Sequence, residues 1–123
     1  MMKLTKPLVF FDLETTGVDI TKDRIVQIAI RILGLDGGRI EKSMLINPTI
    51  AIPKEASEVH GITDEMVKDA PTFKQISSSL FSQIDGFDLA GYNIDNFDIP
   101  LLAEEFARCG MDFPKKDTNF IDS

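Results

Sequence analysis

Residues 8–17 read Leu8-Val9-Phe10-Phe11-Asp12-Leu13-Glu14-Thr15-Thr16-Gly17. Four apolar residues run straight into two acids that stand two positions apart. A nearly continuous apolar run is the mark of a central strand buried on both faces. Side chains alternate along a strand, so Asp12 and Glu14 point to one face while Leu13 points to the other. Two carboxylates side by side at the end of a buried strand repel each other and are costly to desolvate. A divalent cation is the commonest partner that makes such a pair tolerable. For an arbitrary D-x-E the plain reading is two surface acids near a turn. Here the apolar run upstream puts the pair at the carboxyl end of a central strand, where α/β sheets place ligand sites.

Outward from this strand, Gly17 offers a turn. Arg24 to Leu35 then alternates: Ile25, Gln27, Ala29 and Arg31 fall on one parity, and Val26, Ile28, Ile30 and Ile32 on the other. That is a strand with one face in the core. Asp36-Gly37-Gly38 reads as a hairpin turn returning through a third strand, Arg39 to Ile46. Lys54 to Glu58 reads as a short helix after Ile52-Pro53. Thr63-Asp64-Glu65-Met66 reads as a helix start with Thr63 as N-cap. Ala70-Pro71-Thr72 breaks the chain. Phe73, Ile76, Leu80 and Ile84 have the spacing of an amphipathic helix. Phe87 to Gly91 reads as a short strand, and Ile99 to Cys109 as a helix with Leu101, Leu102 and Phe106 as its stripe, ended by Gly110. Glu104-Glu105 reads as a solvated face of that helix, and Cys109 as a small core residue. Residues 119–122 could open a further strand.

The order β-β-β-α-α-β-α indicates an α/β mixed sheet with helices packed on it, three antiparallel strands first and parallel neighbours later. The 123 residues suffice for one compact domain, residues 1–123. A strand and helix beyond residue 123 are expected, so the sequence reads as a domain incomplete at its C-terminus.

Composition narrows the class. Apolar residues make up 43% and charged residues 27%, an ordinary globular balance. No apolar run approaches the ~20 residues that cross a bilayer, and the N-terminus has no signal-peptide core. The single cysteine rules out an intrachain disulfide. A cytoplasmic protein is the expectation. The net charge of −7 argues against a broad, salt-driven grip on nucleic acid. It does not argue against a nucleic-acid substrate at a metal site, where bound cations invert the local potential.

A third acid, Asp98, lies in Gly91-Tyr92-Asn93-Ile94-Asp95-Asn96-Phe97-Asp98-Ile99-Pro100-Leu101-Leu102. Its plain reading is an N-cap, with Pro100 in the first helical turn. Asp95 is a rival in the same loop. Asp98 is favoured because its helix follows the Phe87–Gly91 strand and can lie beside the first strand.

Three segments together carry a family resemblance. Residues 11–17 resemble the first motif of the DEDD superfamily of 3′-to-5′ exonucleases. Residues 59–66 (Val59-His60-Gly61-Ile62-Thr63-Asp64-Glu65-Met66) resemble the segment that follows the third strand in its DnaQ-like branch, the branch of the proofreading epsilon subunit. Residues 91–102 resemble the second motif. The resemblance covers nearly the whole chain, in the right order and spacing. It implies a ribonuclease H-like fold, and hydrolysis of single-stranded nucleic acid 3′ ends with two Mg²⁺ or Mn²⁺ ions. Oxygen-only ligands suit those ions over zinc.

On this resemblance Asp12 would bridge both ions, Glu14 would bind the ion that activates water, and Asp98 would support the second ion. Thr15, Thr16, His60, Asn93 and Phe97 match positions near the 3′-terminal nucleotide. The structural alternatives are turn chemistry for the threonines, core packing for Phe97 and a packing or loop role for His60. The family's third motif, with a fourth carboxylate and a histidine or tyrosine base, lies beyond its equivalent of Phe120-Ile121-Asp122. His60, the only histidine, falls in the wrong segment to be that base, and Tyr92 precedes the second motif. The 123 residues are therefore expected to be weakly active or inactive as an exonuclease. A DNA polymerase is a partner the resemblance implies, and self-association through the incomplete face is a further expectation. The rival readings are an RNA-trimming exonuclease and a non-catalytic nucleic-acid-binding domain of the same fold.

Overall fold

A computed structural model describes residues 6–91, 97–114 and 120–122. The strands are β1 (Leu8–Thr15), β2 (Ile25–Leu33), β3 (Arg39–Leu45), β4 (Asp88–Gly91) and β5 (Phe120–Asp122). The helices are α1 (Lys54–His60), α2 (Asp64–Val67), α3 (Phe73–Ile84) and α4 (Ile99–Arg108). They form one sheet in the order β3-β2-β1-β4-β5. β1 pairs antiparallel with β2 and parallel with β4, β2 pairs antiparallel with β3, and β4 pairs parallel with β5. The expected mixed sheet is present, with β1 at its centre.

The alternation of β1 divides its side chains as the sequence predicts. Val9, Phe11 and Leu13 enter the main core with Ile28 and Ile30 of β2, where α3 and α4 contribute Phe73, Leu80, Leu102 and Phe106. Phe10, Asp12 and Glu14 lie on the other face, with Arg31, Ala29 and Gln27 opposite them on β2. A smaller cluster of Val26, Ile52, Ile62 and Val67 seats α1 and α2. The edge strand β3 is exposed from Arg39 to Ser43, and its charges discourage pairing with another chain.

Local sequence sets the element ends. Gly37 takes a φ of 86° in the β2–β3 turn, where Gly38 N–H bonds the Asp36 carboxylate at 2.8 Å. Thr63 caps α2 by accepting from the Met66 amide. Thr72 and Gln75 form a reciprocal capping box at α3. At α4, Asp98 has helical backbone angles and its side chain makes no capping hydrogen bond. The plain N-cap reading of Asp98 is thereby excluded, and its carboxylate is left for other work.

Candidate metal centre

Asp12 is exposed and Glu14 half-exposed at the end of β1. Asp98, at the head of α4, lines the same groove as Asp12, together with Phe10, Ala29, Arg31 and Ser43. The groove has a volume of about 640 Å³. The Asp98 carboxyl is pushed up to about 6 from 3.8, first because partial burial desolvates it, then because the Asp12 and Glu14 carboxylates repel its charge. The fold thus places Asp12 and Asp98 on one groove, while Glu14 lines a neighbouring depression with Thr15 and His60 and is near enough for its charge to act on Asp98. Among the described residues, no three acid, histidine or cysteine side chains converge tightly enough to form a ready-made metal cage.

This donor set fits a hard divalent cation. It is all oxygen, Asp12 and Glu14 lie at the carboxyl end of a central strand, and Asp98 is raised first by partial burial and then by the Asp12 and Glu14 charges, both of which a cation would offset.

The sequence profile of the exonuclease family matches residues 9–123. The chain belongs to the exonuclease family. DNA polymerase III subunit epsilon of Treponema pallidum is 37% identical over 99 residues, covering 80% of this chain and 46% of that protein. The 3′-5′ exonuclease DinG of Bacillus subtilis is 32% identical over 109 residues, covering 86% of this chain and 11% of that protein. The chain therefore spans about half or less of the length of these relatives. Among solved structures, Escherichia coli Exonuclease I in complex with a dT13 oligonucleotide superposes with a TM-score of 0.82 at 20% identity, over 96% of this chain and 28% of that one. At that identity the likeness shows the fold, which is ribonuclease H-like. The DnaQ-like resemblance of the three motifs is borne out.

In this exonuclease-family chain the residues beside the acids have mixed placements. His60 bonds backbone through both ring nitrogens: Nδ1 accepts from the Ile62 amide at 3.0 Å, and Nε2 lies 3.0 Å from the Thr15 carbonyl oxygen. The Thr15 hydroxyl donates to the Gly17 carbonyl at 2.7 Å. Thr16 is buried. Its hydroxyl donates to Asp23 Oδ1 at 2.8 Å and accepts from the Arg24 amide at 3.0 Å, while its own amide bonds the Arg24 carbonyl. These bonds match the turn-forming alternative for both threonines. Phe97 is half-buried and packs against the main core. Asn93, Tyr92 and Asp95 lie outside the described residues.

Gly17 is required for space and not for backbone angle. A Cβ there would meet Asp23 Oδ2 at 2.5 Å, because the Asp23 carboxylate folds back to hold Thr16 and the Asp19 amide.

The reading of Glu104-Glu105 as a solvated face is corrected by the structure. Glu105 is 1% exposed. Its Oε1 takes the Arg24 guanidinium, with Nε at 2.9 Å and Nη2 at 2.8 Å, and Arg108 Nη1 at 3.3 Å. Its Oε2 accepts the Ile25 amide at 3.0 Å. The sequence did carry a signal. Glu105 lies four residues after Leu101 and three after Leu102, inside the apolar stripe, where an acid needs a specific partner.

Proposed function

We propose that this chain is the metal-binding part of a 3′-to-5′ exonuclease acting on single-stranded DNA ends. The observation that carries the reading is that Asp12 and Asp98 line one groove, with Glu14 two residues along the same face of β1 and close enough for its charge to act on Asp98. In this reading Asp12 and Glu14 hold divalent ions from β1, and Asp98 holds them from α4. Divalent ions held there would supply a lowered pKa for the attacking water and charge stabilisation for the oxygens of the displacement. The protein's own share is placement. β1 fixes Asp12 and Glu14 two residues apart on one face, and the head of α4 places Asp98 on the groove that Asp12 lines.

His60 contributes to substrate binding through position: it holds the Thr15 carbonyl and therefore the backbone just past Glu14. Thr15, Asn93 and Phe97 are proposed to border the terminal nucleotide, and an aromatic ring there would stack a base for about 1–3 kcal/mol. Thr16 shapes the turn that follows β1. With both nitrogens of the sole histidine engaged, no general base is assigned among the described residues. Weak turnover by the 123 residues alone is therefore part of the proposal, since acid–base catalysis typically supplies roughly 10²–10⁴-fold. A DNA polymerase is the proposed partner and the cytoplasm the proposed location. The relative named as a polymerase III subunit supports the first. The second rests on the single cysteine, together with the finding that no described helix is long and apolar enough to cross a membrane.

Calorimetric titration with Mn²⁺ tests the reading without needing turnover. Binding by the wild-type chain that is abolished by Asp12→Ala is the expected result. No binding, or equal binding by the variant, defeats it. Comparing cleavage of matched DNA and RNA oligomers separates the two nucleic-acid substrates.

A further inference from the structure

We propose that Glu105 is a positioning residue for the acidic centre, an inference that rests on the metal-site reading above. Asp98 and Glu105 are seven residues apart, two turns of helix, so they lie along one line of α4. Glu105 is where that line is fastened to the sheet. Its Oε2 takes the first amide of β2, Ile25, and its Oε1 takes the Arg24 guanidinium. Arg24 is in turn bonded in both directions to Thr16, through its amide to the Thr16 hydroxyl and through its carbonyl to the Thr16 amide. Thr16 is two residues from Glu14. A continuous set of short bonds therefore links the helix that carries Asp98 to the strand that carries Asp12 and Glu14.

Two further ties close the frame. Arg24 Nη1 donates to the Thr49 hydroxyl at 3.2 Å, and Arg108 Nη2 donates to the Thr21 carbonyl at 3.0 Å. Thr49 holds a left-handed φ of 63°, unusual for a branched residue. The Glu105 hub thus ties the β1–β2 loop, the loop after β3 and α4 to one carboxylate.

Stability alone is a poor reason for such an arrangement. A buried ion pair often contributes no more than an apolar replacement of the same volume, because desolvating its charges offsets their attraction. What the pair does supply is direction. Apolar packing tolerates sliding of a helix along its stripe, whereas a carboxylate with four donors tolerates very little. Three repelling acids need such a constraint, since their mutual repulsion drives α4 away from β1.

The test compares Mn²⁺ affinity in Glu105→Gln and Phe106→Leu. Glutamine keeps the volume and an acceptor for Ile25 but loses the charge that orients both arginines. Phe106 is fully buried one residue further along the same helix, so its variant reports loss of packing only. Glu105→Gln is expected to weaken Mn²⁺ binding on the order of 10-fold, as loss of an outer-shell partner does. Phe106→Leu is expected to lower the melting temperature and leave the affinity of the folded chain unchanged. Unchanged affinity in Glu105→Gln, or equal weakening in both variants, overturns the inference and leaves the metal site standing. Absence of Mn²⁺ binding in the wild-type chain brings down the metal site and this inference with it.

If Glu105→Gln does not fold, amide exchange in the wild-type chain decides. Coupling is reciprocal, so Mn²⁺ should slow exchange of the Ile25 amide and leave the Gly34 amide, in the distant hairpin, unaffected. Bound Mn²⁺ with no change at Ile25 counts against Glu105.

Discussion

The Nε2 of His60 lies 3.0 Å from the carbonyl oxygen of Thr15, joining the last residue of α1 to the last residue of the acid-bearing strand. Because Nδ1 accepts from the Ile62 amide, the ring proton sits on Nε2 and is donated to Thr15. Gly61 makes this possible: its φ of 76° ends α1 in the left-handed conformation and folds the chain back so that Ile62 meets the ring. His60→Ala removes both bonds, each worth about 0.5–1.5 kcal/mol, so stability should fall by roughly 1–3 kcal/mol. Urea denaturation measures this, and an unchanged midpoint would refute the role given to His60.

Asp98 makes the metal-free chain sensitive to pH. Its folded value is raised to about 6 from 3.8, so the folded state binds this proton more tightly than the unfolded state does. The contribution favours folding below the unfolded value and is lost as pH rises from about 3.8 to about 6. Asp98→Asn should therefore raise the melting temperature of the metal-free chain at pH 8 and change it little at pH 3.5. A variant less stable than wild type at pH 8 would show that burial and the Asp12 and Glu14 charges do not govern this site.

Gly17 stands against a carboxylate and not in a strained turn. Gly17→Ala drives its methyl into Asp23 and loosens the Thr16 and Asp19 bonds, a steric conflict of the kind that costs about 1–3 kcal/mol. The expected signature is recovery of stability in the double variant Gly17→Ala with Asp23→Ala, relative to the sum of the singles. Strict additivity in the cycle would argue that Asp23 is not what alanine meets.

Phe106 is the centre of an aromatic group, with ring centroids at 5.0 Å from Phe73, 5.6 Å from Phe81 and 4.9 Å from Phe113. Phe106→Ala should destabilise by roughly 3–5 kcal/mol. Chemical denaturation will register it, and a loss below the range of an exposed position would mean that the core relaxes around the gap.

Much of this protein could be read in one dimension. The alternation in β1 and β2, the Asp-Gly-Gly turn and the cap at Thr63 act over a few residues, so the sequence displays them directly. Asp12 and Glu14 were legible for the same reason, because a period of two places them on one face. Asp98 was legible as a candidate through its motif. That it lacks a capping bond, and feels the charge of β1, depends on where α4 docks.

Glu105 marks the limit. Beside Glu104 it looks like half of a charged surface pair, and its principal partner, Arg24, is 81 residues away. By itself the sequence determined the opening succession of three strands, the inward faces of β1 and β2, the apolar stripes of α3 and α4, and the segments that carry the acids, because these follow from side-chain period and short-range hydrogen bonding. The expected order held two helices between β3 and β4 where the structure has three. Only the tertiary structure decided that Glu105 of α4 turns inward to fasten the helix while Asp98 at its head lines a groove with Asp12. That choice depends on long-range contacts, in which burial penalises every carboxylate except one supplied with enough donors.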